Sequence, residues 1–194
     1  MSKTWRLFTV LVFCLLIAAV LVPGCGETKT DDSSTQENGQ STQTDKQFSL
    51  NQPVEFGGAT FVFTSAEELD SIPVAFEDDE TYTPEKGKYL VVYFTFQGAE
   101  GNEMGGIDLA IFKLADRQGN VYYMDTDLAN YEANDLALEE DLSIPSMLMW
   151  SNPEEKDSAL VFDVNPNTDG FSLQLRQQDA SGETVTVAAV DLGI

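Results

Sequence analysis

Carboxylates are the abundant chemical groups of this chain, and they gather in three tight clusters: Glu77-Asp78-Asp79-Glu80, Asp125 with Asp127, and Glu139-Glu140-Asp141. Calcium takes about six to eight oxygen ligands, and neighbouring carboxylates on loops can supply them. None of the three has EF-hand spacing. Counted from Asp125, the twelfth position is Leu136 and the sixth is Asn130, where that loop needs Glu and Gly. Each cluster reads either as an oxygen-only cation site, with calcium as the cofactor, or as a solvated acidic loop. Paired carboxylates also cleave glycosidic bonds, but no spacing among so many selects one pair.

Other chemistries are narrowed by what is missing. The chain has no histidine, and its two cysteines, Cys14 and Cys25, lie near the N-terminus. From Phe48 onward there is no imidazole and no thiol, which excludes Ser-His-Asp and Cys-His nucleophilic sets and the usual zinc, copper, haem and iron–sulfur ligands. Lys86, Lys88, Lys113 and Lys156 stand in no serine–lysine motif, and Gly105-Gly106 is followed by a strand pattern rather than a phosphate-cradling helix. The domain is therefore expected not to be an enzyme.

Trp150 is the only tryptophan after Trp5 and sits in Met147-Leu148-Met149-Trp150, between Pro145 and Pro153. An indole beside two methionines suits either an adaptable ligand-contact patch or a cap on the core.

The residues from Phe48 onward include 28 acidic and 6 basic side chains, a net −22. Such a polyanion repels phosphate backbones and anionic lipid head groups, which disfavours nucleic acid as a partner and electrostatic membrane binding alike. Cations and basic partners are its natural complements.

The N-terminus reads as an export signal. Lys3 and Arg6 precede Leu7 to Val22, an uncharged and mostly apolar run of 16 residues, shorter than the about 20 a bilayer span needs. It ends in Val22-Pro23-Gly24-Cys25, which resembles the lipobox of bacterial lipoproteins. That resemblance implies removal of residues 1–24 and a diacylglyceryl thioether on Cys25, with acyl chains such as palmitate holding the protein on the extracytoplasmic face of the membrane. Gly26 to Gln47 contains no apolar side chain and cannot repay the entropy of ordering, so residues 25–47 are read as a lipidated cysteine and a disordered linker spanning roughly 25 Å.

Residues 48–194 carry the pattern of a single all-β domain. Ala59 to Ala66 follows Gly57-Gly58 and places Phe61 and Phe63 on one face. Gly87 to Phe96 is nearly continuously apolar, which predicts a central strand covered on both sides or lying at a sheet junction. Ile107 to Leu114 and Val121 to Met124 flank the turn Asp116-Arg117-Gln118-Gly119-Asn120. Ala159 to Val164, Phe171 to Arg176 and Thr184 to Leu192 complete the strands. Between Thr126 and Leu142 the pattern changes to a short helix or a long loop, with Leu128, Tyr131, Leu138 and Leu142 as the apolar face.

The order of Gly87-Lys-Tyr-Leu-Val-Val-Tyr-Phe-Thr-Phe96, Phe112-Lys-Leu-Ala-Asp-Arg-Gln-Gly-Asn-Val-Tyr122 and Ala159-Leu-Val-Phe-Asp-Val164 resembles a family of telokin-like, immunoglobulin-like domains common in Gram-positive surface lipoproteins. It is similar also to the immunoprotective extracellular protein superfamily. The resemblance covers roughly residues 48–192 and implies an immunoglobulin-like β-sandwich of about seven or eight strands outside the membrane. It carries no catalytic residues. The reading that follows is a non-enzymatic interaction domain for an envelope component or another protein. A calcium-dependent binding module stands second, and a carboxylate-based hydrolase third.

Overall fold

The computed structural model describes residues 46–77, 79–101, 105–124 and 129–194. The expected export signal, Cys25, the expected linker up to residue 45, Asp78, Asp125, Asp127 and Leu128 lie outside these described residues. In chain order the strands are β1 Lys46–Ser49, β2 Pro53–Phe56, β3 Ala59–Leu69, β4 Ile72–Pro73, β5 Thr81–Tyr82, β6 Lys88–Gln97, β7 Phe112–Ala115, β8 Val121–Tyr123, β9 Lys156–Val164, β10 Ser172–Gln178 and β11 Thr184–Asp191, with one α-helix, α1 Ala129–Glu139.

Two sheets form the body: β1-β11-β10-β7-β8 and β2-β3-β6-β9, with β4-β5 as a separate two-stranded ribbon. These main sheets hold nine strands, above the expected seven or eight. One addition is β1, which runs parallel to β11 from Lys46 opposite Ala188 to Ser49 opposite Asp191. Lys46 and Gln47 belong by composition to the polar linker. Pairing uses backbone groups, so a polar segment can be recruited as an edge strand.

The core lies between the sheets. Phe61 and Phe63 of β3, Leu90, Val92, Phe94 and Phe96 of β6, and Leu160 and Phe162 of β9 meet Phe112 and Leu114 of β7, Leu173 and Leu175 of β10, and Val190 of β11. Burying each such side chain contributes about 1.5–3 kcal/mol. In β3 the register slips between Phe63 and Ser65. One extra residue reverses which side chains face the core, so Phe63 points inward but Glu67 and Leu69 lie on the outer face.

That outer face explains the apolar continuity of β6. Tyr89, Val91 and the partly buried Tyr93 face away from the first core and form a second cluster with Ile72, Ala159, Val161 and the helix residues Ala133 and Leu136. The strand is covered on both sides, as its sequence predicts.

The segment left open between helix and loop contains α1, and its buried face differs from the expected one. Ala133, Leu136 and Ala137 are buried, Tyr131 and Leu138 are exposed, and Leu142 packs at the edge of the cluster. Tyr89 and the partly buried Tyr82 and Tyr93 belong to this cluster, and the helix meets them through Ala133 and Leu136. It ends in a Schellman turn: Leu142 N–H donates to Ala137 O at 2.7 Å, and Asp141 holds the left-handed conformation at φ 57°.

The expected strand Ile107 to Leu114 begins only at Phe112. Asp108 Oδ1 accepts from Ala110 N–H at 2.9 Å and caps a single 3-10 turn over Leu109–Ile111. A side chain that competes for backbone donors converts the start of the strand into a turn.

Candidate ligand-binding cleft

Two irregular segments meet at one end of the sandwich and hold each other by backbone hydrogen bonds. Trp150 N–H donates to Gly105 O at 3.2 Å, and Ile107 N–H to Leu148 O at 3.0 Å. On the other side, Gly98 N–H donates to Asn152 O at 2.7 Å and Ala99 N–H to Trp150 O at 3.0 Å. Residue 98 must be glycine, because a Cβ there would overlap the carbonyl group of Trp150. Trp150 is thereby fixed by backbone on both flanks.

The indole is 4% exposed and packs on Phe56, Phe61 and Phe96, with ring centroids 6.2, 6.0 and 6.0 Å away. It is a rigid member of the core, and the adaptable character expected of this loop falls to its neighbours: Met147 is 71% and Met149 45% exposed. One edge of the indole still reaches a surface hollow of ≈ 430 Å³, together with Phe56, Gly57, Gly105, Gly106 and Ile111. Asp108, Ile111, Arg176 and Gln177 join this apolar hollow to a more polar one of ≈ 420 Å³ that runs on to Gln178 and Thr184. The cleft therefore has an apolar floor and a polar flank.

Arg176 is the cation on that flank. Its guanidinium lies over the Tyr123 ring, 5.6 Å from the centroid, a contact worth about 0.5–1 kcal/mol at an exposed site. Among the described residues it forms no salt bridge, whereas Lys88, Arg117 and Lys156 pair with Asp70, Asp169 and Glu154. The cleft's own carboxylate, Asp108, is engaged by the Ala110 N–H.

The acidic clusters lie elsewhere. Glu77, Asp79 and Glu80 occupy the β4–β5 connection, where Phe76 is 87% exposed and adopts φ 65°. Glu139, Glu140 and Asp141 end α1, and Glu140 accepts from the Tyr93 hydroxyl at 3.2 Å. Among the described residues no three histidine, cysteine or acidic side chains come together in a group that could hold a metal ion.

Three tyrosines of the second cluster instead hold acidic side chains. Tyr82 donates to Asp135 at 2.9 Å, Tyr89 to Glu132 at 2.8 Å, and Tyr93 to Glu67 at 2.7 Å. Burial, then the hydrogen bond to Asp135, pushes the Tyr82 phenol up to about 12; burial and their carboxylate partners raise Tyr89 and Tyr93 as well. Glu132 and Asp135 lie on α1, so two of these bonds help dock the helix, while Glu67 lies on β3 within the sheet.

Sequence reasoning named Trp150 but not Arg176, Asp108 or Ile111. The available signal was that Arg176 is one of only two arginines after Phe48; its closeness to the indole is a product of the fold.

Solved structures resemble this fold. A conserved hypothetical protein of Bacillus anthracis superposes with a TM-score of 0.50 at 15% identity, covering 72% of this chain and 94% of its own. The chain is a β-sandwich protein. A β-sandwich protein of Clostridium difficile gives 0.47 at 12% identity, covering 86% and 99%, and a secreted protein of Mycobacterium tuberculosis 0.43 at 10%, covering 76% and 97%. At such identity the likeness to the Bacillus protein concerns the fold alone. No family model matches the sequence, and no curated protein matches it. Among the described residues, no helix of the β-sandwich is long and apolar enough to cross a membrane.

Proposed function

We propose that this chain is a lipoprotein anchored through Cys25 to the extracytoplasmic face of the membrane, and that its β-sandwich is a non-enzymatic binding domain for an envelope component or another protein. The resemblance of residues 22–25 to a lipobox and of the strand pattern to telokin-like, immunoglobulin-like domains supports the first part. The carrying observation for the second is the end cleft, with the Trp150 edge and Ile111 on its apolar side and, on its polar side, the Arg176 guanidinium, which forms no salt bridge among the described residues. A concave, largely preformed site with few convergent polar groups is the usual form of a ligand pocket. Its polar lining of guanidinium, amides, hydroxyl and one engaged carboxylate recognises charge and shape.

Two measurements on the full chain test this. Cells expressing it and given an alkyne analogue of palmitate should label the protein, and Cys25→Ser should abolish both the label and sedimentation with membranes. For the cleft, titration with phenylpropionate, an apolar carboxylate, should shift the amide resonances of Gly105 and Gly106 saturably. Shifts confined to the acidic β4–β5 hairpin, or none, would overturn the assignment of the cleft.

A further inference from the structure

The two flanks of β10 are not equally paired. On the β11 side the ladder runs its whole length, from Ser172 opposite Asp191 to Gln178 opposite Thr184. On the β7 side it runs from Ser172 opposite Ala115 only to Leu175 opposite Phe112. Upstream of Phe112 the chain leaves the sheet through the 3-10 turn capped by Asp108. Among the described residues, Arg176–Gln178 therefore have a strand on one side only, and these three residues form the polar flank of the cleft. An unpaired strand flank is a template for another extended chain.

We propose that the cleft receives the carboxyl-terminal end of an extended polypeptide, which adds as a short antiparallel strand beside Arg176–Gln178 and sets its terminal carboxylate on Arg176. The inference rests on the reading of the cleft as the binding site.

Three features select this occupant. First, the open flank is three residues long, about 10 Å at ~3.3 Å per residue, and β7 closes one end of it. A strand entering in line with β7 stops at Phe112, so it presents a chain end there. Second, the residue at the closed end is Arg176, next to Leu175 and its partner Phe112. A guanidinium matches a carboxylate and repels an ammonium group. A C-terminus facing Phe112 makes the incoming strand run with β7 and antiparallel to β10, the geometry already present on that flank. Third, side chains alternate along a strand, so residues of the guest face the apolar floor of Phe56, Ile111 and Trp150 while their neighbours face water. The net −22 from Phe48 onward disfavours acidic peptides, so the guest is neutral or basic apart from its terminal carboxylate.

The test uses the full chain and the peptide acetyl-Lys-Val-Thr-Val-Leu with a free carboxyl end. Calorimetric titration should show binding, weakened at least about tenfold when the carboxyl end is amidated, the loss expected for one charged hydrogen-bonded pair. Methylating the backbone nitrogens of alternate residues, in the register that removes ladder donors, should weaken it by a similar factor. Arg176→Gln should bind the acid and amide forms equally, and Arg176→Lys should restore part of the preference. Equal binding of acid and amide by the native chain, or indifference to N-methylation in both registers, overturns the inference. Failure of the peptide where phenylpropionate still shifts Gly105 and Gly106 removes strand addition and leaves the cleft standing. Failure of both ligands removes the cleft reading as well.

Discussion

A Cβ on Gly57 would lie 2.9 Å from Cζ3 of Trp150, so the turn between β2 and β3 rests directly on the edge of the indole. Gly57 also adopts φ 61°, a left-handed conformation that L side chains enter at a cost. Turn and indole thus define one wall of the cleft together, and each limits what the other can be.

Gly57→Ala should destabilise the domain by about 2–4 kcal/mol, adding overpacking to backbone strain. Gly119→Ala provides the comparison, because φ is 87° there but a Cβ would meet nothing within 4 Å. Denaturant unfolding of the two variants should separate them, with Gly119→Ala losing only about 1 kcal/mol. Equal losses would mean that the indole yields.

Leu136 is the large apolar side chain that α1 buries on the second cluster. Leu136→Ala should cost about 2–4 kcal/mol. Tyr89→Phe removes the donor to Glu132 while keeping the ring, and should cost about 1–2 kcal/mol. Hydrogen exchange should show faster exchange in α1 for both variants, with the β10–β11 ladder protected as in the native protein.

Tyr82, Tyr89 and Tyr93 all ionise above the ordinary tyrosine value of 10.0 in the folded protein. Because the folded pKa values are raised, the stability they contribute is fully present below pH 10.0 and is lost as the pH rises toward and beyond about 12, the value for Tyr82. An alkaline titration followed by phenolate absorbance should show delayed ionisation that coincides with loss of the near-ultraviolet circular dichroism signal. Ionisation of all three near pH 10.0 without unfolding would contradict these tyrosine–carboxylate bonds.

Asp116 organises the β7–β8 turn. Its carboxylate accepts from Asn120 Nδ2 at 2.7 Å, Asn120 N–H at 2.8 Å, the Tyr122 hydroxyl at 3.0 Å and Gln118 N–H at 2.9 Å. Burial works against its ionisation, but these hydrogen bonds together outweigh that and hold the carboxyl below its ordinary 3.8. Its stabilisation is therefore complete above pH 3.8 and fades as the pH falls through the lowered value. Asp116→Ala should unfold at lower denaturant concentration at neutral pH, and its deficit relative to the native chain should shrink on acidification below pH 3.8.

The sequence alone determined the positions of most strands, the two-sided burial of β6, and the absence of histidine and thiol chemistry from Phe48 onward. These depend on residue type and on the period of side chains along a strand, which are local. It gave less for the ends of the domain: Lys46 and Gln47 look like linker, yet they pair with β11 through groups every residue possesses. It gave α1 the wrong buried face, because that face was chosen by Tyr89 and Tyr93 some forty residues upstream. The cleft was settled by tertiary structure. Arg176 and Trp150 carry no local signature of one another, and only the register of β10 against β7, together with the Asp108 cap that ends that ladder, brings both into the lining of one cleft.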